Sequence, residues 1–112
     1  MKKINVTIWN EFKHERAEGG FGDLIRSYYP NGMHRTLAEK LAADDLNIRT
    51  VSLDEPEQGL PDEILNTTDV LLWWGHCAHA EVKDALVDKI QLRVLAGMGL
   101  IVLHSGHLSK IF

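Results

Sequence analysis

The sequence predicts an α/β domain built on a doubly wound parallel sheet, and three observations predict it. Strand and helix patterns alternate along all 112 residues. The runs "VLLWW" and "LIVL" are continuously apolar, as strands covered on both faces are. A hydrophobic content of 45% with no linker, repeat or low-complexity tract gives one domain, residues 1–112, enough material for a core.

Each element has its own signal. Lys3 to Trp9 sets Ile4, Val6 and Ile8 in alternation with polar residues, a first strand stopping at Asn10. Asn10 to Pro30 is polar and carries Gly19, Gly20 and Gly22; it reads as a functional or mobile loop, too long for an ordinary connection. The Asn31-Gly32 turn opens a helix from Met33 to Asp44 with Leu37, Ala38 and Leu41 on one face. Ile48 to Leu53 is a second strand, and Pro61 fits the first position of a short helical piece holding Leu60, Ile64 and Leu65. Val70 to Trp74 is the third strand. A helix from His79 to Ala96 follows, with Val82, Leu86, Ile90, Val94 and Leu95 as its stripe. Gly97 and Gly99 bracket its stop, and Gly99 to Leu103 is the fourth strand.

Composition narrows the function classes. Sixteen acidic against 12 basic residues give a net charge of −4, with no Lys/Arg cluster able to follow a phosphate backbone, so nucleic acid is not an expected partner. The start, "MKKINVTIWN", alternates and has no continuous apolar core of a signal peptide. No run approaches the roughly 20 apolar residues of a membrane span. The single cysteine, Cys77, forms no internal disulfide. A soluble, cytoplasmic protein is expected.

Four of the six histidines sit in two His-x-x-His pairs, each just past an apolar run: His76 and His79 after "VLLWWG", His104 and His107 after "LIVL". In doubly wound sheets ligands bind outside the carboxyl ends of the strands. Those ends also carry His14 after strand one and Asp54 and Glu55 after strand two, so the histidines are expected to share one rim. Imidazole binds metals and exchanges protons near neutrality. His76, His79, His104 and His107 are therefore the candidate ligands of a divalent metal such as zinc. The plainer reading is that they hydrogen-bond loop backbone or sugar-like hydroxyls without a metal. The HExxH and Cys-x-x-Cys signatures are absent.

The stretches "TIWNEFKHE", "YPNGMHRTLAEKL", "RTVSLDEPEQGL", "DVLLWWGHCAHAEV" and "RVLAGMGLIVLHSGHLSKIF" together resemble the N-terminal half of the trehalose utilisation protein ThuA family. The resemblance implies the class I glutamine amidotransferase-like fold, a flavodoxin-like sheet of about four strands in the order 2-1-3-4. It also implies a role in using trehalose or a related disaccharide. Family members are about twice this length, so the chain looks like a truncated portion, with "LIVL" on an unpaired edge that favours self-association into homo-oligomers. Amidotransferases of this fold place a nucleophilic Cys on a sharp strand-to-helix elbow, and here His104 takes that position with Gly106 two residues on. An imidazole is a poor substitute for a thiolate in acyl transfer, so glutamine hydrolysis is not expected.

The candidate residues follow. His104, His107 and Glu11 are the candidate catalytic groups, His104 by position and Glu11 as acid, base or orienting carboxylate beside His14. His14, His76, His79, Trp74 and Ser105 are the candidate ligand-binding groups. Glu11 and Glu15 read equally well as solvated loop charges. Trp73 and Trp74 point to opposite sides of their strand, so at most one reaches the rim, and core packing is the plainer use of the pair. His34, in the first turn of a helix, is expected to be neutral and hydrogen-bonded. Ser105 and Ser109 are expected to cap, and Cys77 to be an ordinary small residue. As an enzyme the domain would act on a sugar or sugar-derived intermediate by proton transfer or metal-assisted chemistry. The rival is a non-catalytic sugar-binding or regulatory module.

Overall fold

The computed structural model describes residues 2–112. Four strands, β1 (Ile4–Asn10), β2 (Leu46–Ser52), β3 (Val70–Trp74) and β4 (Gly99–Val102), form one sheet in the order β2-β1-β3-β4. Every pairing is parallel, with Ile8 opposite Thr50 on one side and Leu72 on the other. The α/β class and the flavodoxin-like order read from the sequence are thus what the chain adopts.

Alternation along β1 divides the core in two. Val6 and Ile8 join Leu72 on one face, packed against Leu37, Ala38, Leu46 and Ile48. Trp9 turns to the other face and joins Leu71, Trp73, Val82, Leu86 and Ile90 in the larger cluster. The helix α2 (Met33–Leu41) covers the smaller cluster, whereas α3 (Asp62–Leu65) and α4 (Asp84–Leu95) cover the larger. The buried Thr7 and Thr68 hydroxyls satisfy one another at 2.7 Å.

Several expected boundaries move. The stretch from Asn10 to Pro30 is not a structureless loop: it holds a 3₁₀ turn at His14–Arg16 and a helix, α1 (Gly19–Tyr28). One of its three glycines, Gly22, has a packing reason. A Cβ on Gly22 would lie 1.7 Å from the Ala17 carbonyl oxygen, so the helix can approach the preceding turn only with glycine there. The helix expected from His79 begins with a 3₁₀ turn, His79–Glu81, and α4 proper starts at Asp84. Leu95 is 76% exposed and leaves the stripe, because one residue past Val94 rotates the side chain about 100° around the helix. The helix α2 ends at Leu41, three residues short of Asp44, and Leu41 is exposed. No helix among the described residues is long and apolar enough to cross a membrane.

Candidate functional site

The carboxyl ends of β1 and β3 lie side by side, since the Glu11 N–H donates to the Trp74 carbonyl just past the ladder. This juxtaposition puts the chain after Asn10 against the chain after Trp74, and a carboxylate joins them. Glu11 is 2% exposed and its Oε1 accepts the backbone N–H groups of His76 (2.8 Å), Cys77 (3.2 Å) and Ala78 (2.9 Å). Its Oε2 accepts the Cys77 N–H at 3.1 Å and the Cys77 thiol at 3.2 Å. Burial alone would raise the Glu11 pKa; the hydrogen bonds from His76, Cys77 and Ala78 outweigh it and hold the carboxyl below its ordinary 4.5. Glu11 is therefore an anionic clamp on the loop that carries His76, Cys77 and His79. Gly75 lets the clamp close, as a Cβ there would meet His79 at 3.3 Å and Glu11 Oε1 at 3.4 Å.

On the outer side of the clamp, His14 Nε2 and His76 Nδ1 are 2.7 Å apart, one donating to the other. Both rings lie near Trp74, with centroids 5.6 and 6.4 Å from it, and Phe21 of α1 stands edge-on to His14. Donor atoms of Glu11, His14 and Cys77 all fall within 4.8 Å of one another. Partial desolvation, then the hydrogen bond and charge of Glu11, push the Cys77 thiol up to about 11. The thiol is therefore protonated at neutral pH.

His79 faces inward instead. Trp73 Nε1 donates to Ser109 Oγ at 3.1 Å, and Ser109 Oγ lies 3.2 Å from His79 Nδ1, while His79 Nε2 is buried with no partner among the described residues. Ser109 thus bridges two side chains rather than capping a helix. Of the two adjacent tryptophans, Trp73 is buried and stacks on Trp9 in the core, whereas Trp74 is half-buried on the opposite side and reaches the rim.

His104 and His107 are not members of the Glu11 donor group. His104 is exposed, and with Trp74, Tyr29, Met33, Thr36 and Leu103 it lines an open cleft of about 390 Å³. His107 is exposed on the 3₁₀ turn Gly106–Leu108. Among the described residues, the grouping of His76, His79, His104 and His107 does not bring three donor atoms within 4.8 Å of each other; Glu11, His14 and Cys77 do. The turn after β4 is sharp, but its left-handed residue is Ser105 (φ 82°), one place beyond His104. Ser105 Oγ lies 3.5 Å from His104 Nδ1.

Behind the rim a buried polar layer fixes the loop after β1. The Phe12 N–H donates to Asn10 Oδ1, which orients the amide so that Nδ2 donates to Glu15 Oε2 (2.7 Å) and His34 Nδ1 (3.2 Å). Glu15 Oε2 also accepts the Met33 N–H. His34 accepts at Nδ1 and is neutral, its pKa lowered by burial and next by Arg35. Arg16 pairs with Asp54, tying the His14 turn to the loop after β2. Cys77, Tyr29, Asn10 and Ser109 had no distinguishing pattern in the sequence. Only the adjacency of Cys77 to His76 and the Glu11 to His14 spacing hinted at the donor cluster.

A family model described as trehalose utilisation, ThuA, matches residues 5–111. No curated protein matches the chain.

Proposed function

We propose, because the chain belongs to the ThuA family of trehalose utilisation, that this domain binds trehalose, a related disaccharide or an intermediate derived from one at the carboxyl edge of its sheet. The observation that carries the reading is the position of Trp74. Its ring lines the cleft with Tyr29 and His104 and also adjoins the His14–His76 pair. The cleft volume of about 390 Å³ is in the range of small-molecule sites. Sugar rings present C–H faces that stack on indole and phenol, and hydroxyls that suit the His104 imidazole and the Thr36 hydroxyl. A sugar stacked on Trp74 has one end beside His14 and His76.

That pair gives the site its chemistry. Two hydrogen-bonded imidazoles hold a proton between them, so one ring can donate as the other accepts. The Glu11 clamp fixes the loop bearing His76, and the Arg16–Asp54 pair fixes the turn bearing His14. Proton transfer at a sugar oxygen or carbon is the reaction class such a pair serves. Glu11 Oε1 is committed to three backbone N–H groups and so orients the loop, while Oε2 faces Cys77.

Titration with trehalose and other disaccharides, followed by calorimetry, tests the reading. Trp74→Ala should weaken binding about tenfold or more, a loss of about 1.4 kcal/mol. His14→Ala and His76→Ala should bind but not turn over. Binding unchanged in Trp74→Ala would remove the cleft from the site. Tight binding with no turnover in the parent protein would favour the non-catalytic module, for which the Tyr29 and Trp74 rings suffice.

A further inference from the structure

We propose that Glu11, His14 and Cys77 form a mononuclear site for a divalent transition metal, with one coordination position left open. The donors converge from the ends of two neighbouring strands and lie within 4.8 Å of one another. Zinc–ligand bonds of about 2.0–2.3 Å need donors roughly 3.3–3.8 Å apart, so small side-chain rotations close the set. Glu11 Oε2 and Cys77 Sγ are already 3.2 Å apart.

The donor set also selects the ion. One carboxylate, one thiolate and one neutral imidazole balance a double positive charge. The mixture of oxygen, sulfur and nitrogen suits Zn²⁺ or Co²⁺, whereas Mg²⁺ and Ca²⁺ prefer oxygen alone. Three protein ligands leave a fourth place for water or a sugar oxygen, the pattern of catalytic rather than structural zinc. The ligands are themselves held: Glu11 Oε1 is pinned by the His76 and Ala78 N–H groups, and His76 hydrogen-bonds the His14 ring. On binding, the Cys77 S–H bond breaks, a metal–sulfur bond forms, and the proton leaves to solvent, one proton per ion. The metal replaces that proton between Sγ and Glu11 Oε2.

The site differs from the His76, His79, His104 and His107 set expected from the sequence, and it stands without the sugar reading. Its test uses the full chain, stripped with a chelator, with no sugar present. Titration with Zn²⁺ should show one ion per chain. Titration with Co²⁺ should produce a thiolate-to-metal charge-transfer band that is missing in Cys77→Ser. Cys77→Ser and His14→Ala should each weaken Zn²⁺ by at least about 100-fold, and His76→Ala by about 10–100-fold. The double variant His104→Ala/His107→Ala should bind as the parent does. Glu11 variants would also unseat the loop, so Cys77→Ser, at an exposed position, carries the test. Absence of the charge-transfer band, undiminished Zn²⁺ affinity in Cys77→Ser, or loss of the ion in His104→Ala/His107→Ala would overturn the assignment. Each would leave Trp74-dependent disaccharide binding to stand or fall by itself.

Discussion

Two buried ionisable side chains, Glu11 and His34, have their charge states fixed by what surrounds them, and both make the fold acid-sensitive. His34 has a folded pKa below its ordinary 6.5, first through burial and then through Arg35, against the opposing pull of Glu15, Glu55 and Asp54. A depressed value means the unfolded chain takes up a proton first. The stability His34 supplies is therefore complete above about pH 6.5 and is lost as the pH falls toward the folded value. Glu11 behaves likewise one step lower: its contribution is complete above about pH 4.5 and is lost as the pH falls through its lowered folded value. Urea midpoints measured from roughly pH 7.5 down to 5.5 should decline, and His34→Gln, which keeps an acceptor without titrating, should flatten that decline. The expectation of a neutral His34 came from its place in a helix's first turn, and the neutral form is what Asn10 and burial enforce. Glu11 was legible as an orienting carboxylate beside His14, but its partners are backbone groups 65 to 67 residues away, which no local pattern announces.

The element least legible was α1. Its apolar residues Phe21, Leu24, Ile25 and Tyr28 have helical spacing, yet three glycines in four positions outweighed them. Those glycines are not equivalent, and substitution separates them. Gly20→Ala meets nothing within 4 Å and should stabilise the protein by about 0.5–1 kcal/mol, the helix-propensity difference. Gly22→Ala would drive a methyl group into the Ala17 carbonyl and should destabilise by about 1–3 kcal/mol. Denaturant unfolding of both variants checks the pair; equal effects would mean that α1 does not rest on the His14 turn. By contrast β1, β3 and α4 were readable because period and composition agreed with their burial: Leu71, Leu72 and Trp73 are buried in succession, as their unbroken apolar run required.

At the scale of the whole molecule, the strand order put the rim loops on one edge of the sheet, which is why the alternating pattern located the site's neighbourhood. It could not say which histidines meet. His14 and His76 touch because β1 and β3 are adjacent, while His104 leaves from β4, one strand further out. Among the described residues the same order leaves β4 paired only with β3, and Ile101 is 51% exposed on it. An open, apolar edge invites pairing with another copy. The chain should therefore self-associate at micromolar to millimolar concentration, and Ile101→Lys should shift it toward monomer. Sedimentation velocity across a dilution series measures this, and a parent protein that is monomeric throughout would show the edge to be protected.

The Trp9 and Trp73 rings, 3.7 Å apart and within 2° of parallel, also make the sheet centre optically visible. Two indole transition dipoles so close couple as an exciton pair, whose circular-dichroism couplet is set by the in-plane angle between the two rings. Trp9→Phe would abolish the couplet. Trp74, on the other side of β3 and beside the cleft, adds its emission to that of the pair, and the difference between the parent and Trp74→Phe isolates it. One protein thus carries two separable spectroscopic signals, a chiral one for the integrity of the β1–β3 pairing and a fluorescent one for what enters the cleft.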